Sequence, residues 1–164
     1  TNGQPIMIES QNNFDMVEIE SAISKAGSAY HKLLLLVGKS GAGKTPLLRH
    51  ISQKMEIPLI NLGLLLSRQL LSLTVRQRKL KVSDIIEDIL DEQDAVRIGV
   101  DNTEIIFEPS LKVNPIGLLK NISRNRLIIW AWNGGIEGDH LTYAYRGHPE
   151  YQRVLVKEFA VIAV

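Results

Sequence analysis

Apolar side chains recur in two rhythms along this chain. Short continuous apolar runs alternate with longer stretches in which apolar residues return every three or four positions. The first rhythm marks strands buried on both faces of a sheet, and the second marks helices with one apolar face. Phe14, Val17, Ala22, Ile23 and Ala26 predict a helix over residues 14–29 that ends near Gly27. Leu33-Leu34-Leu35-Leu36-Val37 predicts a buried strand. Helical spacing returns over residues 44–54, with Leu47, Leu48 and Ile51. Pro46 fits there only in the first turn, where its missing N–H would be unpaired anyway.

Further strands are expected at residues 57–62, 95–100, 127–132, 141–145 and 159–164. Further helices are expected at 64–73, from Ser83 onward, from Asn114-Pro115, and at 149–157. Ser83 is the expected cap of its helix, followed by an acidic first turn. Gly134-Gly135 is an expected turn. Residues 1–13 are polar and expected to be flexible, and residues 14–164 are expected to form a single domain. Strands alternating with helices predict an α/β fold of three layers, with a mostly parallel central sheet covered on both faces. Ligands of such sheets bind beyond the carboxyl ends of the strands.

Composition narrows the chemistry. A net charge of +1 excludes a strong global field toward nucleic acid or anionic lipid. The chain has no cysteine, which excludes disulfides, thiolate metal sites and cysteine nucleophiles and fits a cytoplasmic protein. No apolar run approaches the length needed to span a bilayer, so no membrane association is expected. The opening Thr1-Asn2-Gly3-Gln4-Pro5 has no charged segment leading into an apolar one, so no signal peptide is expected.

One segment carries specific chemistry. Gly38-Lys39-Ser40-Gly41-Ala42-Gly43-Lys44-Thr45 fits G-x-x-x-x-G-K-[ST] between a predicted strand and a predicted helix, the context the phosphate loop requires. Glycines let the backbone wrap closely and aim N–H groups at phosphate oxygens. The helix that follows adds its positive end. Lys44 can reach the β- and γ-phosphates, and the Thr45 hydroxyl can ligate Mg²⁺. Gly38, Ser40, Gly41, Ala42, Gly43, Lys44, Thr45 and Pro46 are therefore the expected ATP contacts. A dinucleotide fingerprint would need a third glycine where Lys44-Thr45-Pro46 stands. A nucleophile elbow would need glycine at Ala42. The GTP-reading motif Asn-Lys-x-Asp is absent, which favours ATP.

Asp101 closes the run Arg97-Ile98-Gly99-Val100 and is the expected Mg²⁺-side carboxylate, beside the plainer reading of a turn aspartate. Asn102 follows it, so Glu104 is the nearest carboxylate able to act as base. In a continuing strand Glu104 would face away from Asp101; a turn after Asp101 would bring it back. Asn133 ends the strand Leu127-Ile128-Ile129-Trp130-Ala131-Trp132 and resembles the first sensor of AAA+ ATPases, although Asn-Gly is also a turn signal. Arg124 and Arg126 read either as arginines that complete a neighbouring copy's site or as a solvated helix end. Arg76-Gln77-Arg78-Lys79 with Lys81 can contact DNA or RNA phosphates, but with no aromatic nearby a solvated helix face is preferred. The four histidines lack metal spacing, and Trp130 and Trp132 read as packing.

The stretch from Leu33 to Arg153 resembles BrxF, the small P-loop proteins of type 3 BREX phage-defence systems. The resemblance rests on Gly38 to Thr45, on Asp101-Asn102-Thr103-Glu104-Ile105-Ile106-Phe107, and on Ser123-Arg124-Asn125-Arg126 leading into Ala131-Trp132-Asn133-Gly134. Gly147-His148-Pro149-Glu150-Tyr151 adds to it. It implies a cytoplasmic bacterial ATPase-like protein that acts with other BREX-type defence proteins. It carries over Lys44 and Thr45 as nucleotide contacts and Asp101 as the Mg²⁺-side carboxylate. The chain departs from full AAA+ proteins at Asn102, where a glutamate is usual. Only 31 residues follow Asn133 (164 minus 133), so no separate lid domain is expected. Three functions follow in order of preference: an ATPase switch completed by partners or a homo-oligomer, a non-hydrolysing ATP-binding adaptor, and a small kinase.

Overall fold

Strands whose side chains are apolar on both faces form the centre of the molecule. The computed structural model describes residues 15–156 and 158–164, so the expectation for residues 1–13 lies outside the described residues. Strands β1 (Leu33–Gly38), β2 (Leu59–Asn61), β3 (Arg97–Asp101), β4 (Leu127–Asn133) and β8 (Ala160–Ala163) make one sheet in the order β2-β3-β4-β1-β8. Every pairing in it is parallel.

Alternation along each strand divides the core in two. Leu33, Leu35 and Val37 of β1 join Ile128, Trp130 and Trp132 of β4 and Ile98 and Val100 of β3 on one face. Helices α3 (Leu62–Leu70), α4 (Val75–Asp91) and α5 (Pro115–Ile122) pack there. Leu34 and Leu36 join Leu127, Ile129 and Ala131 on the other face, against α1 (Met16–Gly27) and α2 (Lys44–Met55). The fold is thus α/β, a mostly parallel sheet between two helical layers.

Side-chain caps fix where the helices begin. Asp15 accepts from the Val17 N–H at 3.0 Å to start α1, Asn61 from Leu64 at 3.0 Å to start α3, and Asn114 from Gly117 at 3.1 Å to start α5. Thr74 and Gln77 form a reciprocal capping box on α4. That box moves the start of α4 well ahead of Ser83, which lies inside the helix and caps nothing. The expected strand at 57–62 shortens to β2 because Asn61 caps the next helix and Leu62 already belongs to it.

The last third departs most from expectation. Between β4 and β8 the chain forms an antiparallel sheet of β5 (Gly135–Glu137), β6 (His140–Tyr143) and β7 (Gln152–Leu155). The expected helix at 149–157 is instead β7, paired with β6 through Thr142↔Arg153 and Tyr143↔Gln152. The expected turn at Gly134-Gly135 is a step from β4 into β5. Close approaches at Trp132 and Gly134 help hold this small sheet to the large one. The Trp132 indole Nε1 donates to Thr142 O at 3.0 Å. At Gly134, an added Cβ would lie 1.8 Å from that same carbonyl, so only glycine permits the approach. No helix among the described residues is long and apolar enough to cross a membrane.

Candidate functional site

Strands β1, β3 and β4 run parallel, so their carboxyl ends share one edge of the sheet. At that edge β1 ends at Gly38 and the chain loops into α2. Gly43 stands at the N-cap of α2 with φ 111°, a left-handed conformation that a side chain would strain. Unlike α1, α3, α4 and α5, α2 has no side-chain cap; its first turn also holds no acid. Its leading N–H groups and positive dipole end are therefore left for an anionic ligand.

The Lys44 ammonium is buried and donates to Gly38 O at 2.6 Å and to Lys39 O at 2.7 Å. Burial lowers its pKa from 10.5, and the nearby Glu104 and Asp101 carboxylates oppose that shift. The lysine tip thus sits folded onto the loop it belongs to, on the same edge as two acids.

Asp101 reaches this edge at the end of β3 and is nearly buried, at 8% exposure. The Thr45 hydroxyl donates to its Oδ2 at 2.6 Å, joining residues 56 positions apart. The Asn102 N–H donates to its Oδ1 at 2.9 Å. Asn102 is left-handed, with φ 53°, and turns the chain off the strand direction. A 3-10 turn, Glu104–Phe107, follows. This turn returns Glu104 to the side of Asp101. The buried Thr103 hydroxyl donates to Ala131 O on β4 and anchors the turn.

Strand β4 lies between β1 and β3, with Asn133 level with Gly38. The Asn133 side-chain amide donates to a Glu104 carboxylate oxygen. Together these groups line a cleft of about 250 Å³. Ser40, Gly41, Gly43, Lys44, Thr45 and Pro46 form one wall, and Asp101, Asn102, Glu104 and Asn133 the other. Gly38 and Ala42 shape the loop without lining the cleft. The cleft suits a chain of phosphates more than a whole nucleotide, whose base and sugar would extend beyond it.

The fit of Mg²⁺ follows from the donor set. Thr45 and Asp101 offer hard oxygen donors side by side, as Mg²⁺ prefers. Among the described residues no three His, Asp or Glu side chains cluster as a metal cage. Such a site suits a cation that brings phosphate and water ligands with it.

The expected arginines lie elsewhere. Arg124 and Arg126 precede β4, at the opposite end of a seven-residue strand from Asn133, roughly 20 Å away. Arg124 is exposed, and Arg126 pairs with Asp91 of α4. Neither reaches this chain's own cleft. The arrangement also includes residues that the sequence did not mark. Thr103 anchors the turn, and nothing in its surroundings in the chain signals that. Tyr143 of β6 stacks on Phe107 with ring centroids 3.7 Å apart, next to the turn that carries Glu104. Burial raises the Tyr143 pKa, helped by Glu150 and Glu104. Trp130 and Trp132 are fully buried, as expected for packing.

Comparison with models of known protein families and with curated proteins finds no match for this chain.

Proposed function

We propose that this chain is a P-loop domain that binds ATP with Mg²⁺ and hydrolyses it as a switch within an assembly. The observation that carries this is the Thr45–Asp101 hydrogen bond of 2.6 Å beside Lys44, in front of the uncapped end of α2. Two distant parts of the chain, the loop with the start of α2 and the end of β3, thereby bring an ammonium, a carboxylate and uncapped backbone donors to one phosphate-sized cleft. Thr45 and Asp101 would hold Mg²⁺, which neutralises phosphate charge when bound.

The chain's own groups divide the remaining work. The α2 N–H groups and Lys44 hold the phosphate oxygens. Asn133 and Glu104 meet in a hydrogen bond on one wall of the cleft, and together they would orient a water. Glu104 accepts the proton of that water as its oxygen bonds the γ-phosphorus, and the bond from that phosphorus to the β-phosphate bridging oxygen breaks. ADP and inorganic phosphate leave. Catalysis comes from position and charge, with no covalent intermediate.

The Glu104–Asn133 contact favours this over a purely structural role for ATP, the reading that Asn102 supports. Resemblance of the Gly38–Thr45, Asp101–Phe107 and Ala131–Gly134 segments to BrxF proteins supports a place among BREX-type defence components in the bacterial cytoplasm. Arg124 and Arg126 are remote from their own cleft, so a catalytic role for either would be at a neighbouring copy's site. The test is Mg²⁺-dependent ATP turnover across protein concentrations, beside Lys44→Ala. Turnover that vanishes in the variant supports hydrolysis here, and turnover per chain that rises with concentration supports completion in trans. ATP binding without turnover at any concentration favours the adaptor.

A further inference from the structure

The outer face of α4 carries a charge pattern that nucleotide binding does not use. Arg76, Arg78, Lys79 and Lys81 occupy its first half without an acid among them. Asp84, Glu87, Asp88 and Asp91 occupy its second half, with Glu92 at the cap and no base among them. The first turn has no acid and the last turn no base. A helix macrodipole favours the reverse, with negative charge at the N-terminal end and positive charge at the C-terminal end. The segregation works against the helix taken alone, so its compensation lies outside the helix.

Two of these charges are used within the chain. Arg78 Nε donates to Leu70 O at 2.8 Å and to Leu73 O at 3.1 Å, closing the end of α3. Asp91 pairs with Arg126. Arg76, Lys79, Lys81, Asp84, Glu87 and Asp88 are exposed and form no ion pair among the described residues. Val82, Ile86, Ile89 and Leu90 face the core, so the opposite side of α4 is open. On that open side Leu80 is 67% exposed, between the basic and acidic halves.

We propose that this face pairs with α4 of a second copy of the chain, antiparallel across a twofold axis between Ser83 and Asp84. Such a contact sets each residue opposite its counterpart on the far side of the axis. Arg76 then faces the acidic end of the partner helix, where Asp91 of the partner subunit stands, and Leu80 lies against Glu87 of the partner subunit, with Lys79, Lys81 and Asp88 flanking the contact. The two macrodipoles also oppose favourably. Ser83 is small enough to let the helices approach, and each Leu80 is covered by the partner helix. A polyanion such as nucleic acid would meet only the basic half and be repelled by the acidic half. A second copy satisfies both halves at once. The helix is about 25 Å long at the usual rise, a contact smaller than a standard stable interface. The dimer is therefore weak and salt-sensitive. This inference does not depend on the nucleotide chemistry.

The test is sedimentation of the full chain at low and high salt. The dimer dissociation constant rises about tenfold or more between low and high salt. Glu87→Lys with Asp88→Lys replaces two acids of the second half with bases, and Arg76→Glu with Lys79→Glu replaces two bases of the first half with acids. Each variant alone is expected to dimerise about tenfold more weakly or not at all. An equimolar mixture of the two is expected to recover dimers. Combining all four substitutions in one chain also recovers self-association. That combination separates loss of contact from loss of fold. The proposal is overturned by a natural chain that stays monomeric at high concentration in low salt. It is equally overturned by variants whose association is unchanged, or by a mixture that stays monomeric.

Discussion

Replacing Glu104 with glutamine isolates the chemical step from binding. Glutamine keeps the side-chain carbonyl oxygen, so it can still accept the hydrogen bond from the Asn133 amide. The turn stays anchored through Thr103 and Ala131 O. What the variant loses is the ability to take a proton from water. Loss of a positioned general base costs about 10²–10⁴-fold in rate. At 1.36 kcal/mol per decade that is about 3–5 kcal/mol of barrier. Binding should move the other way, because a negative charge facing the phosphates is gone. Glu104 also raises the Lys44 pKa against the larger effect of burial. In Glu104→Gln the unliganded Lys44 therefore loses its proton at a lower pH than in the natural chain. The assays are single-turnover ATP hydrolysis and ATP affinity measured from pH 7 upward. The expected result is a rate loss of at least a hundredfold, equal or tighter ATP binding at pH 7, and an alkaline loss of affinity that begins earlier. Turnover within threefold of the natural chain would refute the assignment of Glu104 as base.

Further predictions concern the same edge and its supports. Burial lowers the Lys44 pKa from 10.5, while bound phosphates favour its charged form, so ATP binding takes up a proton above the lowered pKa. Affinity should thus fall by up to tenfold per pH unit, beginning below pH 10.5, when titrated by calorimetry. The sign for stability is opposite: the cost of burying the ammonium, present at neutral pH, is relieved as pH rises through the lowered pKa toward 10.5, readable as urea midpoints. Gly134→Ala should destabilise by about 3 kcal/mol or more in urea titration, because its Cβ would stand 1.8 Å from the Thr142 carbonyl. Trp132→Phe should cost about 1–3 kcal/mol more than Trp130→Phe in the same assay. The first leaves Thr142 O without its indole donor, whereas the Trp130 indole N–H has no partner to lose.

The front of the molecule was readable because period and chemistry coincide there. Leu33 to Val37 is apolar at every position, the glycine-rich loop follows, and Leu47, Leu48 and Ile51 return at helical spacing. Two features near α4 and β7 show where that legibility ends. The capping signal at Thr74 and Gln77 has the right spacing, but the basic run behind it masks the helical rhythm, and Ser83 with its acids imitates a start. Residues 152–155 alternate over only four positions on a sheet with one open face, too few to oppose the helix-like run around them. At the site, Lys44, Thr45 and Asp101 could be named from their motif and strand-end positions. The return of Glu104 depended on Asn102 adopting φ 53°, which no periodicity encodes. The remoteness of Arg124 and Arg126 follows from strand direction: both stand before β4, and Asn133 stands after it. Tyr143 reaches the neighbourhood through the second sheet, whose pairing is long-range and invisible to local patterns.

Equilibrium binding of ATP, with and without Mg²⁺, to the natural chain and to Lys44→Ala tests the central claim most directly. The account predicts Mg²⁺-strengthened binding to the natural chain, weakened about a hundredfold or more in the variant, since a buried charge-assisted contact to phosphate is lost. Equal affinity in the two chains, or no binding of ATP to a folded natural chain, would contradict it.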